Sequence, residues 1–209
     1  MELPDSTPRP AVFLDRDGTL MEEVHYCAAP ALVRVFPGTA NAIRRLKESG
    51  YLVVIITNQS GIGRGLLTEA QYHAVQAELM RQLEEEGKMG RMGLIGQMGR
   101  MEDSELSPSS PIAASYFCPD APPTPSPRRK PEPGMVLEAA RDLNLDLARS
   151  WFVGDKAADI GCGKRAGTRT ILVQTGYGAS EAKTADSMGV SPDFVAKDVV
   201  AAVEIILHN

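Results

Sequence analysis

Asp15 and Asp17 lie two residues apart, directly after the short apolar run Ala11–Leu14. On an extended backbone side chains at i and i+2 share a face, so the two carboxylates would crowd each other. Such a pair keeps its charges only with a cation beside it. A few oxygen donors suit Mg2+, which keeps several waters and shares its coordination with a phosphate. A third carboxylate, Asp155, follows the apolar run Trp151–Val153, and Asp159 stands one helical turn later. Thr57 and Asn58 close the run Tyr51–Ile56 and open the loop Gln59-Ser60-Gly61, where a hydroxyl and backbone N–H groups can hold phosphate oxygens. Lys130, flanked by Arg128 and Arg129, supplies positive charge. An aspartate nucleophile, a second acid, a divalent cation, a hydroxyl and a lysine are the parts of phosphoryl transfer, in which catalysis is mostly positioning and charge neutralisation. Singly, each segment also reads as a turn, a helix cap or a solvated charge run. Together, in chain order and each just after a strand or before a helix, they read as one site.

The elements that must position these residues alternate. Strands are predicted at 11–14, 51–56, 114–117, 150–153 and 170–173, with a weaker one at 193–196. Helices are predicted at 39–49, from Thr68 to about Glu86, and at 133–143, 157–166 and 198–207. Thr68 and Gln71 have the spacing of a capping box. The continuous apolar run YLVVII is typical of strands buried on both faces of a parallel sheet. Alternating strands and helices imply a three-layer α/β/α, Rossmann-like fold with a mostly parallel sheet. In such folds ligands sit beyond the carboxyl ends of the strands, where the polar clusters fall.

Three segments stand outside this rhythm. Residues 1–10 carry three prolines and read as a loose arm before one domain over 11–209. From 87 to 101 glycine recurs at 87, 90, 93, 96 and 99, each costing a helix about 1 kcal/mol relative to alanine. The preceding helix is therefore expected to end near Gly87. Residues 87–111 read as a disordered or mobile surface insertion, or, through their four methionines, as an adaptable lid. Residues 119–133 hold seven prolines and must form a stiff, extended loop.

Composition narrows the function classes. The 209 residues carry 22 basic and 27 acidic side chains, a formal charge of −5, so nucleic acid and anionic membranes are not expected partners. No run approaches the roughly 18 apolar residues of a membrane span, and Cys27, Cys118 and Cys162 are too few and scattered for a disulfide framework. A cytoplasmic protein is expected. The glycines of 61–65 and 161–163 lack the spacing of a dinucleotide loop. Of the three histidines, only His25, near the first loop, is a candidate to touch substrate; His73 and His208 read as surface residues.

Four segments, FLDRDGTL (13–20), TNQSGIGRG (57–65), RRKPEPGM (128–135) and VGDKAADI (153–160), resemble the four motifs of the haloacid-dehalogenase (HAD) superfamily of phosphatases. The closer resemblance is to its histidinol-phosphate and heptose-bisphosphate phosphatase branch, which carries a minimal cap. The resemblance implies that Asp15 is the nucleophile and that Asp17 protonates the leaving oxygen and then activates water. Thr57 and Lys130 would stabilise the transferring phosphoryl group, with Asn58, Gln59 and Ser60 beside it. Asp15, the backbone carbonyl of Asp17 and Asp155 would hold Mg2+. Arg129 and Lys156 match substrate-contacting residues, and Glu23–Tyr26, with His25 in it, corresponds to a substrate-side loop. Relatives also carry a zinc loop of one histidine and three cysteines. Here Cys118 stands with Asp120, Ser126 and Arg128 at those positions, so no zinc is expected.

The leading expectation is a Mg2+-dependent phosphatase acting on a small phosphate ester, D-glycero-D-manno-heptose 1,7-bisphosphate or a similar sugar phosphate, as a monomer. Histidinol phosphate is the alternative substrate, its amine served by Glu22 or Glu23. A dehalogenase needs neither Asp17 nor Asp155. A receiver-like signalling module stores its phosphate, which Asp17 would instead help to release. A catalytically idle binding protein would have lost motif residues.

Overall fold

The computed structural model describes residues 7–95, 110–184 and 189–209. Six parallel strands form one sheet in the order β3-β2-β1-β4-β5-β6. They are β1 (Ala11–Leu14), β2 (Leu52–Asn58), β3 (Ala114–Cys118), β4 (Trp151–Gly154), β5 (Arg169–Val173) and β6 (Phe194–Ala196). The helices are α1 (Thr39–Glu48), α2 (Ser60–Gly63), α3 (Glu69–Ile95), α4 (Gly134–Asp142), α5 (Ala157–Ala166), α6 (Gly178–Thr184) and α7 (Val199–Leu207).

Strand alternation divides the core into two layers. On β1, Val12 and Leu14 join α1, α3 and α7 on one face, whereas Ala11 and Phe13 join α4 and α5 on the other. All four are fully buried, which is why this strand reads as an unbroken apolar run. The chain runs outward from β1 through β2 to β3, then returns to β4 on the other side of β1 and continues to β6. Strand order therefore reverses between β1 and β4, the place where open α/β sheets leave a crevice at their carboxyl ends. Val12, Phe13 and Leu14 pair there with Trp151, Phe152 and Val153.

Two expectations are corrected. Helix α3 does not stop near Gly87 but continues to Ile95. A side chain at Gly87 would meet open space, so no contact demands glycine there. The intervening Lys88, Met89, Arg91, Met92 and Leu94 are good helix formers and carry the helix through. The rest of the expected insertion, 96–109, lies outside the described residues. Nor are residues 9 and 10 a loose arm: Arg9 donates to the Asn144 carbonyl (3.1 Å) and accepts from Asp146 (2.9 Å), and the Pro10 carbonyl accepts from Leu52 (3.0 Å). The capping box at the start of α3 forms, with Thr68 N–H donating to Gln71 Oε1 (2.8 Å) and Gln71 N–H to Thr68 Oγ1 (3.2 Å).

Candidate active site

The carboxyl ends of β1, β2 and β4 open into a cleft of about 240 Å³ whose lining includes Asp15, Asp17, Thr57, Lys130, Lys156 and Asp159. Asp15 follows β1 directly, its N–H donating to the Val153 carbonyl (3.0 Å) and so locking the loop after β1 to β4. Lys130 is buried below it. Its ammonium donates to Asp15 Oδ1 (2.5 Å) and the Ile56 carbonyl (2.8 Å), and lies 2.6 Å from Asp159 Oδ1. A buried ammonium needs paired, hydrogen-bonded partners, and three oxygens provide them. Burial opposes the charged form of Lys130, but Asp15 and Asp159 outweigh it and raise the pKa. The Arg128-Arg129-Lys130 segment is thus no solvated charge run.

Carboxylate oxygens of Asp15, Asp155 and Asp159 lie within 4.8 Å of one another, all three residues buried. Burial, then the neighbouring Asp15 and Asp159 charges, push Asp155 up to about 8. Burial likewise lifts Asp159 to about 6 against the pull of Lys130. Asp155 Oδ2 accepts from the Tyr177 N–H (2.8 Å), but its buried Oδ1 has no partner. Both Asp159 oxygens are engaged, one by Lys130 and the other by the Lys156 N–H (3.0 Å). An orphaned buried oxygen beside crowded carboxylates is the donor set of a hard divalent cation. Asp15 and Asp155 fit that role, and Asp159 serves Lys130.

The other expected residues divide. The Asp17 carboxylate stands apart from the acidic cluster, held by the Arg16 guanidinium (3.1 Å) and Gln59 Nε2 (2.9 Å). Gln59 also reaches Thr57 Oγ1 (2.8 Å), tying the second acid to the hydroxyl. Asn58 lines the cleft but its amide is committed at both ends to the Lys130 backbone (3.1 Å each); it holds the lysine loop. Ser60, Glu23, His25 and Tyr26 line the cleft, and the His25 ring meets the Tyr26 ring edge-on at 4.4 Å. Lys156 pairs with Glu23 (3.2 Å) and lies 4.5 Å above the Tyr177 ring. Arg129 is not among the lining residues; its guanidinium donates to the Asp120 carbonyl (2.9 Å).

Sequence reasoning missed the segment after β5. Thr175 Oγ1 donates to the Gly18 carbonyl (2.6 Å), Tyr177 binds Asp155 and walls the cleft, and Glu181 Oε2 accepts from the first N–H of α5 (2.9 Å). Gly18 and Gly176 have φ of +86° and +55°, and a Cβ on either would stand 2.3 or 2.2 Å from Asp155 Oδ2. The available signal was a glycine-bracketed tyrosine immediately after a strand end.

The Pro-rich loop is joined by its own side chains. Cys118 Sγ lies 3.5 Å from Asp120 Oδ2 and 3.6 Å from Ser126 Oγ, which accepts from the Arg128 N–H (3.3 Å). The Arg128 guanidinium donates to the Phe117 carbonyl (3.1 Å) and pairs with Glu138 (3.2 Å). Among the described residues no helix is long and apolar enough to cross a membrane.

Comparison with known proteins places this geometry. Residues 127–202 match the HAD-hydrolase-like family. A D-glycero-D-manno-heptose-1,7-bisphosphate 7-phosphatase of Thermosynechococcus vestitus is 37% identical, with 95% of this chain and 96% of that one aligned. The corresponding β-anomer enzyme of Mesorhizobium japonicum is 35% identical over 94% of this chain and 83% of its own. Among solved structures, the D,D-heptose 1,7-bisphosphate phosphatase of B. bronchiseptica, complexed with magnesium and phosphate, superposes with a TM-score of 0.74 at 31% identity, covering 95% of this chain and 98% of that one.

Proposed function

Because the chain belongs to the haloacid-dehalogenase-like phosphatases and is a phosphoric monoester hydrolase, we propose that it removes the C7 phosphate of D-glycero-D-manno-heptose 1,7-bisphosphate through an aspartyl-phosphate on Asp15. The observation that carries this reading is the buried Asp15–Lys130–Asp159 chain beside the unpartnered Asp155 oxygen. It sets Asp15 at the cleft beside the Lys130 ammonium and an orphaned carboxylate oxygen that a divalent cation would occupy.

In the first step an Asp15 oxygen attacks phosphorus, the P–O ester bond breaks, and the leaving alkoxide takes a proton from Asp17. In the second, water attacks the aspartyl-phosphate, Asp17 takes its proton, and orthophosphate leaves with Asp15 restored. Thr57 offers a hydroxyl donor to the phosphoryl oxygens and Lys130, bonded to Asp15, its positive charge, and placing such groups where charge develops lowers the barrier. Mg2+, held by Asp15, Asp155 and the carbonyl of Asp17, would neutralise charge on the phosphate. Glu23, Lys156, His25 and Tyr26, which line the cleft, would meet the rest of the substrate, and Arg129 would reach it only by leaving the Asp120 carbonyl. The direct bonding of Cys118, Asp120, Ser126 and Arg128 supports a loop that folds without zinc. The same reading takes the protein as a cytoplasmic monomer.

The paired state of Glu23 favours the bisphosphate over histidinol phosphate. Its carboxylate is committed to Lys156, and Glu22 does not line the cleft, so an incoming amine finds neither acid waiting. Phosphate release with Mg2+ from both substrates, side by side with Asp15→Asn as the blank, tests this. The expected result is a preference of at least 100-fold for the bisphosphate, about 2.7 kcal/mol of transition-state discrimination. Equal rates on both would remove the heptose assignment, and one phosphate per chain would mark a receiver-like module.

A further inference from the structure

Arg16 stands between the two aspartates of the site, and its guanidinium is sealed in the core at 1% exposure. Nε donates to Asp17 Oδ2 and Nη2 to Oδ1, each at 3.1 Å, and Nη2 also lies 2.9 Å from Oδ2, so two nitrogens grip both oxygens. The guanidinium carbon lies 5.2 Å from the centre of the Tyr72 ring, itself packed on Phe117 at 4.3 Å. The Arg16 carbonyl accepts from the N–H groups of Leu20 and Met21 (2.9 and 3.2 Å), so the loop turns around this residue and confines it. Nη1 is buried with no hydrogen-bond partner.

As a stabilising device this arrangement is poor. A buried charge costs several kcal/mol, and an ion pair offsets that only when its remaining donors are satisfied; an apolar side chain of like volume often serves the fold better. Asp17, by contrast, is partly exposed at 16% and lines the cleft. The pair therefore connects an immobile anchor to a carboxylate that faces substrate. A two-point fork sets both the place and the plane of a carboxylate, which a single lysine ammonium cannot do.

We propose that Arg16 is a positioning residue of the reaction: its fork fixes where the Asp17 carboxylate sits and thereby how well Asp17 protonates the leaving oxygen. This rests on Asp17 being the general acid. Arg16 transfers no proton and touches no substrate. Gln59, donating to Asp17 Oδ2 and Thr57 Oγ1 through one amide nitrogen, braces the same carboxylate from the cleft side.

The test compares two esters on the full chain with Mg2+. p-Nitrophenyl phosphate has a phenolate that leaves with little protonation, whereas the heptose bisphosphate must protonate an alkoxide. Arg16→Gln and Arg16→Lys are expected to lower kcat/KM on the bisphosphate by about 30-fold, within the range of general-acid catalysis, and on the aryl ester by no more than about 3-fold; kcat/KM is the readout because it covers the steps up to departure of the leaving group and not the later attack of water, which both esters share. Asp17→Asn should show the same selectivity more strongly, and adding Arg16→Gln to it should cost nothing further. Equal losses on both esters, or full additivity in the double variant, would make Arg16 a structural residue and overturn the proposal. If Asp17→Asn is itself indifferent to the leaving group, the general-acid reading falls and takes the proposal with it. Selectivity in Asp17→Asn without selectivity in Arg16→Gln sinks the proposal alone. Arg16→Lys keeps the buried charge, and a melting curve for each variant separates misfolding from misplacement.

Discussion

The floor and the rim of the cleft are built on opposite principles. On the floor, Asp15, Asp155, Asp159 and Lys130 are all buried and held by bonds of 2.5–3.0 Å. At the rim, the Lys156 and Glu23 side chains are 39% and 20% exposed, their 3.2 Å pair reachable by water. Buried charges interact strongly because little solvent screens them, and each is expensive to leave alone. Exposed pairs are screened and contribute a few tenths to 1 kcal/mol. In the proposed reaction the floor is the fixed part, common to any phosphate ester, and the rim the adjustable part that would meet the rest of the substrate.

Four changes would break or sharpen that contrast. The largest effect belongs to Asp15→Asn, expected to lower turnover by on the order of 10⁴- to 10⁶-fold, the range found when members of a catalytic unit are removed, while the protein stays folded. Residual phosphate release above a few per cent of wild type would place the nucleophile elsewhere. Next, Lys130→Met leaves Asp15 and Asp159 buried without a cation and should cost about 3–5 kcal/mol of stability, read by urea unfolding. A loss under 1 kcal/mol would mean that the floor is not governed by charge burial.

The third effect is pH-dependent. Asp155 and Asp159 hold protons up to about 8 and about 6 in the fold, above the 3.8 of a free aspartate. Groups raised in this way favour the fold fully below the unfolded value, and that contribution is lost as pH climbs through the folded values. Without a divalent cation, stability from these two groups therefore declines from acid towards about pH 8. A cation pairs with the ionised form and displaces the proton, so the rise in Tm on adding Mg2+ should be larger at about pH 8.5 than at about pH 6. Melting curves with and without Mg2+ check this; a rise independent of pH would contradict it. The smallest effect is expected at the rim. Glu23→Gln frees Lys156 and should change KM for the bisphosphate by a few-fold, with stability altered by less than about 1 kcal/mol. A large loss of stability would move the rim into the same class as the floor.

The difference between floor and rim also governs what could be read in the sequence. Asp15, Thr57 and Asp155 were legible because each sits at the end of an apolar run, and strand ends at the switch point are where parallel sheets place ligands. Lys130 was legible as a charge but not as a buried one, since nothing local tells a solvated cluster from a lysine folded under its neighbours. Asn58 had the right place and a different task, because an amide can bond substrate or backbone with equal ease. Tyr177 and Gly176 showed only as a glycine-bracketed tyrosine after a strand end, since their meaning comes from Asp155, more than twenty residues earlier. The glycines of α3 predict an earlier end than Ile95, because their local cost is legible while the good helix formers between them carry no stop signal. Tertiary contacts wrote the rest.

The pairing of β1 with β4 has a consequence for how the chain is made. Val12 must find Trp151, so the central strand of the sheet emerges from the ribosome some 140 residues before the neighbour that will flank it. Until then β1, whose side chains are all apolar, presents one edge of unpaired backbone N–H and C=O groups. Pairings this distant form late and leave exposed edges prone to misassociation. Nascent chains cut short before β4 are therefore expected to be sticky as well as inactive, and the burden on chaperones falls on the first two thirds of synthesis.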